Sequence, residues 1–228
     1  MINKKEIFEK NLDTVLRNIE QARLSVDEHS IIKLVAVSKY SSSEDIEMLY
    51  RLGQRAFGEN HIQQLSERKE ELKSLPLEWH MLGHIQTNKI NKLIELKPSL
   101  IHSLDSVKLA VALNEKLALK NMKLSALLEI NSAFEESKSG VELSMAKDIY
   151  QEIRATCPNI ILKGVMSIGA MSEDYEVVKK SFESTYDIFD ALKYDGATIC
   201  SMGMSGDYEL AIKCGSSMVR VGSSIFKG

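Results

Sequence analysis

From residue 31 to residue 221, two kinds of apolar pattern take turns along the chain. Short runs of closely spaced apolar residues occupy 31–38, 55–57, 78–82, 100–103, 125–130, 160–168, 197–202 and 218–221. Their length and β-branched content predict strands. Longer stretches between them repeat apolar residues every three or four positions, predicting helices over 44–52, 62–72, 106–119, 143–155 and 175–192. In all, eight predicted strands are separated by seven helical segments. Ahead of the first strand, Phe8, Leu12, Val15, Leu16 and Ile19 mark the apolar stripe of one further helix.

Strict alternation needs a crossover between successive strands, so the strands are expected to run parallel. Six of the seven residues from Ile31 to Val37 are apolar, as in a strand covered on both faces. Eight such units predict an α/β fold, a (β/α)8 TIM barrel forming a single domain over 1–228. The sequence stops soon after the eighth strand, so the helix within 1–29 is expected to pack on the barrel where the last outer helix would lie. Ser43 and either Asp105 or Ser106 are the expected helix caps. Pro76, Pro98 and Pro158 each stop a helix just ahead of a strand. An open doubly wound sheet would use the same elements, but no strand leads into a GxGxxG loop.

Composition removes several function classes. Against 32 acidic side chains stand 29 basic ones, for a net charge of −3, and no basic stripe interleaves with aromatics; nucleic acid is not an expected partner. No apolar run approaches the ~20 residues that span a bilayer, and the first 29 residues lack a signal-peptide core, so no membrane partner is expected. Cys157, Cys200 and Cys214 are odd in number and show no CxxC spacing, which fits reduced thiols in the cytoplasm.

In a parallel barrel the chemistry lies at the carboxyl ends of the strands. Strand one delivers Lys39 there. Taken alone, Lys39 reads equally as a surface lysine or as a Schiff-base nucleophile. A free lysine is only ~0.04% deprotonated at neutral pH, and lowering its pKa to about 8 would raise that to roughly 10%. Desolvation at the mouth and a cation such as Arg220 are the expected means. The loops after strands seven and eight carry Ser205 and Gly222-Ser223-Ser224, which read as turn residues or as a phosphate cradle. A lysine facing such a cradle points to pyridoxal 5′-phosphate. Arg220, two residues before Gly222, then faces the same side and would meet the pyridine nitrogen, unless it forms a structural ion pair.

The motifs AVSK (36–39), FGEN (57–60), WHMLGHIQTNK (79–89), KSG (138–140), KGVMSI (163–168), SMGMSGD (201–207) and GSSMVRVGSSIF (215–226) follow in order along the chain. In them the sequence resembles the pyridoxal phosphate homeostasis proteins over nearly its whole length. The resemblance implies a barrel like the N-terminal domain of alanine racemase, of fold type III. It implies Lys39 as the Schiff-base residue, Arg220 at the pyridine nitrogen, and Ser205, Gly222 and Ser223 at the phosphate. Asn60 would line the pocket beside the ring. Members usually carry Tyr at the place of His61 and HFIG at the place of 80–83, and their tail differs from 226–228.

The function implied is a non-catalytic holder of pyridoxal 5′-phosphate in vitamin B6 and amino-acid homeostasis, a monomer with PLP-dependent apo-enzymes as recipients. The alternative is a fold-type III racemase or decarboxylase. Such enzymes add a β domain after the barrel that helps complete the site, and nothing follows strand eight here. A class I aldolase fits poorly, since Met166–Gly169 stands where its lysine would be. Other signals are weaker. His80 and His84 have four-residue spacing without an HExxH motif, so no metal site is expected. Asp207 breaks the GxSxG pattern at 203–207, and Cys200 reads as a core thiol.

Overall fold

Eight parallel strands hydrogen-bond around a closed ring, each to its neighbours on both sides. The computed structural model describes residues 3–133 and 139–227. The strands are β1 (Lys33–Val37), β2 (Ala56–Glu59), β3 (Glu78–Met81), β4 (Leu100–Leu104), β5 (Leu124–Asn131), β6 (Val141–Glu142), β7 (Ile160–Ser167), β8 (Ile199–Ser201) and β9 (Met218–Val221). The helices are α1 (Lys4–Leu24), α2 (Ser43–Arg51), α3 (Ile62–Glu71), α4 (Ile90–Leu96), α5 (Val107–Leu119), α6 (Ala146–Thr156), α7 (Tyr175–Leu192), α8 (Tyr208–Lys213) and α9 (Ser223–Phe226). The ring runs from β1 through β5, then β7, β8 and β9, and β9 pairs back to β1. The fold is the TIM barrel expected.

The period of two along each strand sorts side chains between lumen and outer shell. Val35, Ala56, Leu100, Leu127, Met166 and Met218 form a separate apolar cluster inside the barrel. Their neighbours in sequence, such as Ala36, Phe57, Ile101, Leu128 and Val165, pack outward into the core under the helices. Both faces are dry, which is why β2, β4 and β9 are buried at every position. Each fully buried aliphatic side chain contributes roughly 1.5–3 kcal/mol by leaving water, so the two cores specify the closed ring strongly.

The N-terminal helix closes the outer ring. α1 buries Phe8, Leu12, Val15, Ile19 and Ala22, whereas Leu16 is 47% exposed and lies off the stripe predicted for it. Asn11 donates to the carbonyls of Ile225 and Lys227, Asn18 donates to Tyr208 and Glu209, and Phe8 meets Phe226 edge-on at 5.8 Å. A single turn, α9, follows the eighth barrel strand.

Three further details depart from the sequence pattern. The two-residue β6 pairs with the end of β5, too short to leave any periodicity. The cap of α2 is Ser42, one residue before the expected Ser43, in a capping box with Asp45. β8 retains only the middle of 197–202, although Thr198 and Met202 still donate to Lys163 and Met218 on the flanking strands. At α5, Ser106 is the cap and accepts from the Leu109 N–H.

Candidate functional site

β1 leaves the barrel through a tight turn that places Lys39 at the mouth. The Ser38 hydroxyl donates to Glu59 Oε1 at 2.6 Å, the Ser38 N–H donates to Gly58 O, and the Ser41 N–H returns to Ser38 O at 2.9 Å. Gln64, reaching from α3, holds the Lys39 carbonyl at 2.7 Å. Lys39 is half-buried, with Nζ 5.1 Å from the Tyr40 ring centroid. Burial pushes the Glu59 carboxyl above its usual range, against the Ser38 hydrogen bond and the charge of Arg68.

Arg220 lies inside the lumen, paired in register with Val35 of β1. Nη1 donates to Ser201 Oγ at 2.7 Å and Nη2 to the Ser167 carbonyl at 2.9 Å. Burial lowers its pKa to about 10, opposed by the charges of Asp207, Glu129 and Cys200, so it remains a cation at neutral pH. Glu129, also buried, is raised to about 7 by desolvation and by the charge of Asp105, with Arg220 acting the other way.

The loops after β8 and β9 meet at Ser205. Its Oγ receives the Gly222 N–H at 3.1 Å and the Ser224 N–H at 3.4 Å, while Ser224 Oγ donates to Ser205 O at 3.3 Å. Asp207 Oδ1 accepts the Met204 N–H at 2.6 Å and sets the turn. Gly222 packs directly against β1: a Cβ there would stand 3.0 Å from Val37 O and 3.2 Å from Val37 Cβ. A cleft of about 820 Å³ opens beside this cradle, between Ser205, Gly169, Met171, Tyr175 and Tyr208.

A sequence model of the alanine racemase N-terminal domain matches residues 11–228. The pyridoxal phosphate homeostasis protein of Helicobacter pylori (strain ATCC 700392 / 26695) is 48% identical over 220 residues, covering 96% of this chain and 98% of its own. The chain belongs to the pyridoxal phosphate homeostasis family. Two solved structures are similar to it in fold. A Bifidobacterium adolescentis protein described as unknown superimposes with a TM-score of 0.93 at 31% identity, over 99% of this chain and 98% of that one. PipY of Synechococcus elongatus PCC7942, in its form with PLP bound, gives 0.83 at 26% identity, over 96% of this chain and 99% of that one.

Within this member of the family, the barrel gathers most of the six residues singled out from sequence. Lys39 stands two residues beyond Val37, which Gly222 touches; Gly222 in turn bonds Ser205, and Arg220 lies two residues below it on β9. Ser223, the exposed first residue of α9, completes the same loop. Asn60 follows Ala56 and Gly58 in lumen parity but also borders a second cleft, with His61, Gly83, His84 and Lys89. His80 and His84 take separate partners, His102 inside the barrel and Asp105 at its surface. Among the described residues no group of His, Cys, Asp or Glu could hold a metal. Lys138 of the KSG motif lies outside the described residues.

Sequence reasoning missed Ser201, His102 and Glu129. Each is a polar residue on a barrel strand; Ser201 shares the lumen parity of Ile199, whereas register shifts on β4 and β5 hide that signal at His102 and Glu129.

Proposed function

We propose that this chain binds pyridoxal 5′-phosphate at the mouth of its barrel and holds it for delivery, without turning over a substrate of its own. The convergence of Lys39, Arg220 and the Ser205–Gly222 cradle on one barrel end carries the reading. The donor set fits the group. The cradle already receives an oxygen atom, Ser205 Oγ, on two backbone N–H groups, the stance suited to a phosphate oxygen. When bound, the cofactor supplies an aldehyde electrophile conjugated to a pyridine ring.

Lys39 offers a primary amine at the end of β1 for covalent attachment of that aldehyde. Arg220 has only protons to donate, so the pyridine nitrogen it meets would stay unprotonated. A ring held in that state withdraws electrons weakly, which suits storage better than carbanion chemistry. Gly222 and Ser223 present backbone N–H groups and Ser205 a hydroxyl to the phosphate, while Asn60 borders the ring. No helix among the described residues is long and apolar enough to cross a membrane. In this reading the whole of 1–228 is a single cofactor-binding domain, a cytoplasmic monomer that releases its cargo to PLP-dependent apo-enzymes.

The deciding experiment loads the protein with pyridoxal 5′-phosphate, reduces it with borohydride and maps the labelled peptide. Label on the peptide carrying Lys39 is expected. Label on another residue, or none, overturns the assignment.

A further inference from the structure

Six side chains connect the mouth to the opposite end of the barrel through its lumen. Arg220 donates to Ser201 Oγ at 2.7 Å, and Ser201 Oγ lies 3.2 Å from His102 Nδ1. His102 Nε2 is 2.8 Å from His80 Nδ1, and His80 Nε2 is 2.9 Å from Glu78 Oε1. Lys33 binds the same carboxylate oxygen at 2.5 Å. Both imidazoles are buried, whereas the Glu78 side chain is 34% exposed in a cleft of about 360 Å³ at the amino ends of the strands.

The carboxylate end, with both rings neutral, fixes the ring protons along this chain. A guanidinium only donates and a carboxylate only accepts. His80 therefore carries its proton on Nε2, towards Glu78, and receives on Nδ1. His102 must then donate from Nε2 and accept the Ser201 hydroxyl proton on Nδ1. The other tautomer of either ring would set donor against donor or acceptor against acceptor.

We infer that Ser201, His102 and His80 are positioning residues for Arg220, forming a one-way hydrogen-bond chain that holds the guanidinium towards the cofactor nitrogen and links it to the base of the barrel. The inference rests on Arg220 being the pyridine partner. Burial holds both histidines below their ordinary range; nearby positive charge adds to this, while Glu78 opposes it at His80. Lys33 and Glu78 face His80, and Lys163 borders the same cleft; Glu129, Asp207 and Cys200 surround the Arg220 end. A proton placed on His80 would turn the chain round. His102 would then donate from Nδ1 to Ser201, which would face two donors while its own proton lost its acceptor.

Nitrogen-15 NMR of the histidine rings, in protein freed of cofactor at pH 7.5, reads the tautomers directly. Nε2–H on both His80 and His102 is expected; Nδ1–H or an imidazolium on either overturns the inference. Two variants then test the coupling in cofactor-loaded protein. His102→Gln can still accept and donate through its amide, whereas His102→Leu can do neither. The Leu variant is expected to raise the cofactor dissociation constant about tenfold, the effect of one charge-linked hydrogen bond, and to shift the absorption band of the bound cofactor. The Gln variant should keep both near wild type. Wild-type behaviour of the Leu variant, or equal loss in both, overturns the coupling. Wild-type protein that takes up no cofactor would instead sink the cofactor reading, and the tautomer result would stand apart from it.

Discussion

Ser205 and Gly222 belong to successive strand–helix loops, yet the Gly222 N–H donates to Ser205 Oγ at 3.1 Å and locks the two loops together. The bond holds the Gly222 N–H in place but spends it on Ser205 Oγ, so a phosphate oxygen must displace that hydroxyl before the N–H can serve it. Removing the hydroxyl removes one charge-assisted contact to a phosphate. Ser205→Ala is expected to weaken pyridoxal 5′-phosphate retention about tenfold and, by leaving the Gly222 and Ser224 N–H groups without their acceptor, to lower the melting temperature by a few degrees. Equilibrium dialysis with a parallel melting curve checks this. Unaltered retention would remove Ser205 from the cradle.

Glu129 makes stability depend on pH. Its folded pKa of about 7 lies above the ordinary 4.5, because burial penalises the carboxylate. A carboxyl raised in this way is no burden below pH 4.5, and its cost grows as pH rises from 4.5 through about 7. The loss is on the order of a few kcal/mol by the time the group ionises fully. Glu129→Gln should therefore gain stability over wild type at pH 8 and lose that advantage at pH 4.5. Chemical denaturation at the two values measures it, and a pH-independent difference would show that the carboxyl is not held back by burial.

Among the described glycines, Gly164 is the one where an added Cβ would be most crowded. Its φ is +143°, and a Cβ added there would sit 1.9 Å from the Ile199 carbonyl oxygen on the neighbouring strand. The opposing atom is backbone and cannot swing aside. Gly164→Ala is expected to cost several kcal/mol through backbone strain and the parting of β7 from β8. A drop in melting temperature of under about 2 °C would mean the wall absorbs the methyl group.

The barrel was legible in the sequence because parallel strands with two dry faces leave long apolar runs, and the helices between them keep their own period. Lys39 and the 222–224 loop were legible because strand ends are where polar residues interrupt those runs. The lumen was harder to read. Register shifts between Ala126 and Leu127, and between Ile101 and Leu104, break the alternation that tells inner from outer positions. His102 and Glu129 sit beside those breaks. Leu16 was misplaced for a related reason: it satisfies the helical spacing but falls at the margin of the stripe that α1 buries.

The clasp between Asn11 and the carbonyls of Ile225 and Lys227 joins residues 214 apart or more. The apolar stripe of α1 therefore has no complete seat until residues 223–227 have been made. β1 waits equally long for β9. Closure of the ring, seating of α1 and assembly of the Ser205–Gly222 cradle all need the segment from β9 to α9, and a nascent chain cut anywhere before residue 222 would lack all three.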